Sequence, residues 1–401
     1  MTKINQKQRG AVSLFVVIFA ALLITIVTVS FVRNMVQDQT QASNTDLSQS
    51  AADSAKAGTE DAKRALLRYQ TICNTGDAAA CLAAQSDVNS STCNTAVTKL
   101  NNIVQLDNEV KVQTNGSNNL AQAYTCVKIF LDTDDYIGSL NSDSSKIIPL
   151  AGVTAFDTIR LDWFNVDDLQ GTNLSVDVPS AASMPLLTKN SWISTTSLNR
   201  PSVMRTQLVQ FNKVGNGGAG FNLTDFDANN DNASTNTLFL YPSDIGISNL
   251  AFATDMPKTI KDSTLVLGSC SPSLDSVAYS CSSTIKLPVS VQYGDHTAYL
   301  NLAALYKKTS YRISLSNSAQ ACDPVTRSGA GCVKFNAVQP EIDSTGRAND
   351  LFRRTKTRVE LTDVNFPYPA ATVDTTGSFC KYFKITDKAS DFDNSGLNCT
   401  P

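Results

Sequence analysis

The chain has 401 residues, of which 42% are hydrophobic and 17% charged, and its net charge is −3. These values exclude a chain that is disordered by composition and one that is strongly basic. Residues 71–401 are numerous enough for one large domain or two smaller ones.

A basic leader of ten residues, ending in Gln8-Arg9-Gly10, precedes 22 uncharged and mostly apolar residues at 11–32. At about 1.5 Å per residue, a helix of this length reaches roughly 33 Å, enough to cross a hydrocarbon core of about 30 Å. No Ala-x-Ala-like cleavage site follows the apolar run, so we expect a retained anchor and not a removed signal peptide. Lys3, Lys7 and Arg9 precede the run, which predicts a cytoplasmic N-terminus and an external C-terminus. The alternative is that the apolar run is a plain single-pass membrane anchor with no further role.

The sequence from 33 to 70 continues to predict helix. Small and apolar residues recur there every three or four positions and form a narrow stripe, and most charged residues lie off it. Glu60 stands four residues before Arg64, the favourable order for a helical ion pair. A face of small residues lets another backbone approach closely, either the protein's own sheet or a neighbouring helix. The stripe comprises Ala51, Ala55, Gly58, Ala62, Ala65, Leu66 and Tyr69.

Residues 8–13, Gln-Arg-Gly-Ala-Val-Ser, the apolar run after them and the Ala-rich segment 51–66 resemble the N-terminal region of type IV pilins and pseudopilins. The resemblance is greatest to the PilX-like minor pilins. It covers residues 1 to about 70 and depends on the order of these features more than on any single residue.

The resemblance implies that a prepilin peptidase cuts between Gly10 and Ala11 and methylates the new amine of Ala11. The apolar helix would then be a membrane anchor and, after extraction, part of a filament core. Main-subunit pilins carry a glutamate at the fifth mature position, where it pairs with the N-terminal amine of a neighbouring subunit; here that position is Phe15. Because an unpaired charge in an apolar bundle is costly, the absence of this glutamate favours a minor subunit at the tip or in an initiating complex.

The ten cysteines include no Cys-x-x-Cys pair, and the only histidine, His296, is far from any closely spaced pair. Disulfides are therefore favoured over a zinc site. Connectivity does not follow from sequence alone, but the order of the cysteines favours five local bridges in an oxidising environment outside the cell. The bridges are Cys73–Cys81, Cys93–Cys126, Cys270–Cys281, Cys322–Cys332 and Cys380–Cys399.

After residue 106 the pattern predicts strands. Residues 284–293 and 297–306 flank Gly294-Asp295 and predict a hairpin, in which Pro288 marks an edge position or a bulge. Further strands are predicted at 158–164, 204–211, 237–241, 263–268, 311–315 and 357–364. The expected fold class is α+β: a long N-terminal helix, membrane-spanning in its first half, with a large, disulfide-stitched, mainly antiparallel β head whose sheet packs on the helix.

The expected organisation follows the same order along the chain. It is a leader at 1–10, a transmembrane or filament-core helix at 11–32, the continuation of that helix at 33–70, a cysteine-containing helix and loop region at 71–126, and a β-rich extracellular head at 127–401 with a subdomain boundary near 190–201.

Two segments place oxygen-bearing side chains on alternate residues, as calcium-binding loops do. In the first, asparagines stand where the glycine and the closing acid of such a loop are expected; in the second, the chain ends before a closing acid. Calcium is therefore weighed against a solvated turn at both places, and no other cofactor is expected. The candidate ligands are Asp225, Asp227, Asn229 and Asp231 in the first segment and Asp391 and Asp393 in the second.

Four cations cluster at Arg353, Arg354, Lys356 and Arg358. The last three alternate, so on a strand they share one face that could contact DNA phosphates or an anionic cell surface. The alternative is a solvated face or an edge protected by charge. Asp295 and His296 have no accompanying nucleophile elbow, zinc-binding helix or phosphate loop, so the sequence does not predict an enzyme.

These observations predict a minor pilin or pseudopilin that primes, caps or decorates a type IV pilus-like filament and displays its head for adhesion. Its partners would be other pilins through the N-terminal helix, a prepilin peptidase, the membrane, and a cell-surface or DNA ligand of the head. It would lie in the cytoplasmic membrane and, after assembly, at the cell surface or in the pilus. The alternative is a membrane-tethered adhesin or DNA-uptake receptor that does not enter a filament.

Overall fold

The computed structural model describes most of the chain and divides it into two compact units. Unit 1 comprises residues 1–129 and 342–357, and unit 2 comprises residues 130–341 and 358–401. The described residues are 9–112, 121–142, 144–171, 175–178, 192, 199–211, 233–244, 249–251, 265–274, 278–293 and 298–361. Side chains are described from residue 14 onward, except at 209–211, 233–237, 249–251, 265, 266, 288 and 289.

Three α-helices lie at the start of the chain: α1 (Arg9–Asn74), α2 (Ala78–Val88) and α3 (Thr95–Asn101). The strands within the described residues are β1 (Val110–Lys111), β2 (Ala123–Phe130), β3 (Tyr136–Leu140), β4 (Ser145–Pro149), β5 (Phe156–Asn165), β6 (Val203–Phe211), β7 (Ala233–Ser243), β8 (Asn249–Ala251), β9 (Leu265–Cys270), β10 (Tyr279–Val291), β11 (Ala298–Leu305), β12 (Thr309–Ser316), β13 (Cys332–Val333), β14 (Glu341–Ala348) and β15 (Leu351–Arg358).

Helix α1 runs for 66 residues without a break, which confirms that the helix of the apolar run continues into the head. Asp77 is the N-cap of α2, and its side chain accepts hydrogen bonds from the backbone N–H groups of Ala79 and Ala80. Both short helices pack against α1. The end of α1 is therefore held in a small helical cluster.

The sheet of unit 1 has the strand order β1-β2-β14-β15 and packs against the second half of α1. Ala51, Ala55, Ala62 and Ala65 are fully buried. Gly346 of β14 lies directly against the α1 backbone, so that a Cβ there would collide with backbone atoms of Ala51 and Ala55. The stripe of small residues thus contacts the protein's own sheet, which was one of the two predicted alternatives.

Unit 2 contains an eleven-stranded, nearly closed, barrel-like sheet. Its order is β13-β12-β5-β10-β9-β7-β6-β11-β4, with β3 paired to β12 and β8 paired to β10. The pairs are antiparallel except β7–β9 and β8–β10, which are parallel. The core contains Ile159, Leu161 and Trp163 of β5, and the indole nitrogen of Trp163 donates to the Ser202 carbonyl at 3.1 Å.

The predicted hairpin is wrong in its pairing, although both of its strands exist. Strand β10 lies between β5 and β9, and β11 lies between β6 and β4. Turn residues in a sequence indicate only the local course of the chain. Strand β10 pairs with the distant strand β5 from Tyr279 to Val291, and its apolar residues are buried in the core. The register with β5 shifts between Lys286 and Val291, so Pro288 marks a bulge, as one of the two predicted alternatives stated.

Most other predicted strands are confirmed as β5, β6, β7, β9 and β12. The strand predicted at 357–364 is displaced: β15 ends at Arg358, and Val359 and Leu361 continue with backbone hydrogen bonds to Pro340 and Val338. Residues 362–364 lie outside the described residues. Residues on both sides of 190–201 belong to unit 2, and the subdomain boundary predicted there stays a prediction.

Four of the five predicted disulfides are confirmed: Cys73–Cys81, Cys93–Cys126, Cys270–Cys281 and Cys322–Cys332. Cys380 and Cys399 lie outside the described residues. The fold class is confirmed in its coarse form, a long apolar helix with a large, disulfide-linked and mostly antiparallel β head.

The predicted ion pair between Glu60 and Arg64 is wrong. Glu60 pairs with Lys63 at 2.7 Å, and Arg64 pairs with Asp61 at 3.0 Å. Residues three apart are also neighbours on a helix, so a choice of partners is available to each charge.

Candidate functional site

The predicted cleavage site lies in the first turn of α1. The backbone is helical from Arg9 onward, so Gly10 and Ala11 are both in the helix. Cleavage at this position stays a prediction.

The described part of the apolar run, residues 14–32, is exposed on every side of α1. Phe15, for example, is 74% exposed. Within the described residues, α1 is the one helix that is long and apolar enough to cross a membrane, with a mean hydropathy of 2.9 in its most apolar part. An apolar surface of this extent needs lipid or apolar protein around it.

Two threonines in the apolar run satisfy their hydroxyls within the helix. The Thr25 hydroxyl donates to the Leu22 carbonyl at 2.8 Å, and the Thr28 hydroxyl donates to the Ile24 carbonyl at 2.6 Å. Each hydroxyl is therefore compatible with an apolar environment in which no water is available.

The second half of α1 is tied to the head by polar contacts at Asp61. Its backbone carbonyl accepts from the Asn101 side chain at 2.7 Å, and its carboxylate accepts from the Tyr124 hydroxyl at 3.0 Å. Burial, and then the Asp61 carboxylate, raise the pKa of Tyr124, so the phenol stays protonated and donates. Arg68 also donates to the Leu100 carbonyl at 2.8 Å. Helix α3 and strand β2 thereby hold α1 in place.

A buried asparagine joins the α2–α3 loop to β2 in unit 1. The Asn94 side chain donates to the Thr125 carbonyl at 3.2 Å and accepts from the Val127 N–H at 2.8 Å. The Cys93–Cys126 disulfide lies beside these bonds. Together they hold the loop against the edge of the strand.

The predicted cationic strand is β15, and its four cations do not share one environment. Arg353 donates to the Ser48 hydroxyl on α1 at 2.8 Å, and Arg354 pairs with Asp343, with Nε 2.7 Å from Oδ1. In unit 2, Arg358 pairs with Asp135 at 3.1 Å and with Glu341 at 3.2 Å. The carboxylate partners were missed by sequence reasoning, and contact with DNA or an anionic surface stays a prediction.

The hydrogen bonds from Arg354 lower the pKa of Asp343, against the opposing effect of its burial. The nearby ammonium groups of Lys356 and Lys128 lower it further. The Asp343 carboxylate is therefore ionised throughout the neutral range.

The six candidate calcium ligands, Asp225, Asp227, Asn229, Asp231, Asp391 and Asp393, lie outside the described residues, and so do Asp295 and His296. Within the described part of the chain, no three His, Cys, Asp or Glu side chains are grouped as metal ligands would be.

A small pocket in unit 2 was missed by sequence reasoning. The Tyr136 hydroxyl donates to Glu360 at 2.7 Å, and the Lys146 ammonium also pairs with Glu360. Burial raises the pKa of Tyr136; at Glu360, burial is outweighed by the bonds from Lys146 and Tyr136, which lower its pKa. The pocket is about 200 Å³ and is lined by Tyr136, Lys146, Ile147, Pro149, Val338, Glu360 and Leu361. Its polar groups satisfy one another.

No family model, characterised protein or solved structure matches this chain.

Proposed function

We propose that this protein is a minor pilin or pseudopilin of a type IV pilus-like filament, which it primes, caps or decorates while its β head is displayed for adhesion. The observation that carries the proposal is helix α1. It is one continuous helix of 66 residues whose apolar first part is exposed and whose small-residue second half is buried under a sheet. The leader ending in Gln8-Arg9-Gly10 comes directly before that apolar part.

The chemistry of residues 14–32 supports two successive environments for the same segment. A helix that is apolar on every side packs as well against similar helices as against lipid. The internally bonded hydroxyls of Thr25 and Thr28 leave the segment compatible with both. One helix can therefore anchor the subunit in the membrane and later pack in a filament.

Charge and disulfides support the orientation. Lys3, Lys7 and Arg9 precede the apolar run, as expected for a cytoplasmic N-terminus. The four disulfides all follow the run, as expected for a head in an oxidising compartment. Both observations support a head outside the cytoplasm.

Phe15 supports a minor position in the filament. A subunit without an acidic group there cannot neutralise the N-terminal amine of a neighbour inside an apolar bundle, where an unpaired charge is costly. Such a subunit is best placed where one neighbour is missing, at the tip or in an initiating complex.

The test is Gly10→Val, which places a branched side chain at the proposed cleavage position. We expect the wild-type chain to lose its leader and to occur in filaments sheared from the cell surface, and the variant to keep its leader and remain in the membrane fraction. Ser13→Ala, three residues further on, is the matched control and should be processed normally. Equal amounts of both variants in the sheared filaments would contradict the proposal, and a wild-type chain that keeps its leader would support the tethered adhesin.

A further inference from the structure

Strand β4 is the last strand in the order of the unit 2 sheet and pairs on one side only, with β11. The N–H of Leu150, directly after β4, donates to the Ala298 carbonyl on β11 at 3.0 Å. Because backbone groups alternate in direction along a strand, Ile148 also points its N–H and C=O to β11, whereas Ile147 points both away from it. Within the described residues, no hydrogen bond reaches the Ile147 backbone from that side. Strand β4 therefore has an open edge.

Strand β3, which precedes β4 in the chain, has an equivalent edge that is closed by a side chain. Gln339 accepts from the Ile137 N–H at 3.0 Å and donates to the Ile137 carbonyl at 2.8 Å. Both backbone groups that point away from β12 at this position are thereby satisfied. At β4 the described residues supply no such side chain, so the N–H and C=O of Ile147 are left for a further strand.

The pocket of about 200 Å³ lies along this open edge. Ile147 and Pro149 line it on the β4 side, and Val338 and Leu361 contribute further apolar side chains. Its polar side chains already bond to one another. What the pocket can still accept is therefore an apolar group.

The last described residues of the chain, 359–361, lead into the pocket. The N–H groups of Val359 and Leu361 donate to the carbonyls of Pro340 and Val338 at 2.9 and 3.1 Å. Leu361 is 8% exposed and lines the pocket together with Ile147. Residues 362–401 follow in the sequence. The next residue of the chain therefore starts beside the open edge of β4.

Residues 362–366, Thr-Asp-Val-Asn-Phe, have the sequence pattern of a strand. Val364 and Phe366 alternate with polar residues, so on a strand their side chains share one face. Pro367 lacks an N–H and ends the stretch that can pair without interruption. Five residues extend about 17 Å, the length of the five-residue strand β4. The segment thus matches the open edge in length and the pocket in polarity.

We propose that the open edge of β4 is the docking site of residues 362–366, which bind as an added strand with Val364 and Phe366 facing the pocket. Because the segment is joined to the pocket wall at Leu361, its effective concentration at the edge is on the order of millimolar, which favours it over a strand from another molecule. The added strand bonds to Ile147 and covers the edge that the described strands leave open. All these residues belong to unit 2, and the inference does not depend on entry into a filament.

The experiment is hydrogen exchange on the full chain in detergent micelles, resolved to single residues by mass spectrometry. The amide of Ile148 points to β11 and is the internal reference, whereas the amide of Ile147 reports on the open edge. We expect exchange at Ile147 to be at least about a hundredfold slower than in an unstructured peptide, at every protein concentration. An unprotected Ile147 beside a protected Ile148 overturns the proposal.

Val364→Asp and Phe366→Asp place a charge on the face that meets the pocket, and each should speed exchange at Ile147 about tenfold. Asn365→Asp is the matched control, because it adds the same charge on the opposite face of the segment, and it should exchange as the wild type does. The amide of Ile159 in the core reports unfolding of unit 2 as a whole, so exchange at Ile147 is judged relative to Ile159 in every variant.

Equal acceleration by all three variants, or no acceleration by the two variants of the apolar face, overturns the proposal. Protection of Ile147 that rises with protein concentration also overturns it, because the bound strand then comes from a second copy of the chain.

Discussion

Two glycines determine how closely the sheet of unit 1 approaches α1. Gly346 on β14 faces backbone atoms of Ala51 and Ala55, and Gly58 on α1 faces the side chains of Ser344, Val127 and Tyr124. A side chain can rotate away from an added methyl group, but a helix backbone cannot. The two positions should therefore respond differently to the same substitution.

We expect Gly346→Ala to destabilise unit 1 by about 3 kcal/mol or more, because the added methyl must push β14 away from α1. Gly58→Ala is the matched variant. It should cost clearly less, since its neighbours are side chains and alanine regains about 1 kcal/mol of helix propensity. Urea unfolding of both variants measures the difference, and an equal or larger cost at Gly58 would contradict the described contact between strand and helix.

Asp343 gives a pH-dependent prediction. Its folded-state pKa lies below the ordinary value of 3.8, so its contribution to stability is present above about pH 4 and is lost as the pH falls through the lowered pKa. At pH 7, Asp343→Asn should lower the free energy of unfolding by about 1–2 kcal/mol through the weakened bond to Arg354. The difference from wild type should shrink steadily below pH 4.

Urea unfolding between pH 2 and pH 7 tests this, with Asp53→Asn on the exposed face of α1 as the control. The control should change stability little at any pH, because its pairing with Lys56 is at the surface. If Asp343→Asn lowers the free energy of unfolding as much at pH 2 as at pH 7, the negative charge of Asp343 is not the cause of the loss.

Among the elements, helix α1 could be predicted almost completely and the order of the sheets could not. The period of small residues from Ala51 to Leu66 is local information, and the structure buries that stripe. Strands β10 and β11 also have recognisable local patterns. Their neighbours depend on which distant apolar faces share a core, and β5 precedes β10 by more than a hundred residues. Turn residues between consecutive strands carry no information about which distant strands become neighbours in the sheet.

The four described disulfides could be predicted because each joins cysteines that are neighbours in the order along the chain. In the chain-entropy account, a longer loop restricts the unfolded chain more. Cys93–Cys126 spans 33 residues and Cys73–Cys81 spans 8. We expect replacement of both cysteines by serine to cost about 4 kcal/mol at the longer bridge and about 2.5 kcal/mol at the shorter.

Guanidinium unfolding of the two double-serine variants measures this ranking. Each variant leaves the other described bridges intact, so each serves as the reference for the other. A larger loss at Cys73–Cys81 would show that the ends of α1 and α2 depend on their bridge for more than loop closure.

At the scale of the whole molecule, the sequence did not reveal that unit 1 is discontinuous. Strands β2 and β14 are neighbours in one sheet, yet residues 130–341 lie between them in the chain. The pairing of Arg354 with Asp343 is also part of that sheet, and the contact of Tyr136 with Glu360 joins residues 224 positions apart. Spacing along the chain carries no signal for such contacts, whereas the apolar run and the long helix that continues from it could both be predicted from local sequence.

In the proposed function, α1 is cut at its first turn and then passes from membrane to filament. The most direct measurement is the mass of the N-terminal peptide, taken separately from sheared surface material and from membranes. We expect a peptide that begins with N-methylated Ala11 in the sheared material. A peptide that still carries Met1 to Gly10 on protein recovered from the cell surface would contradict it.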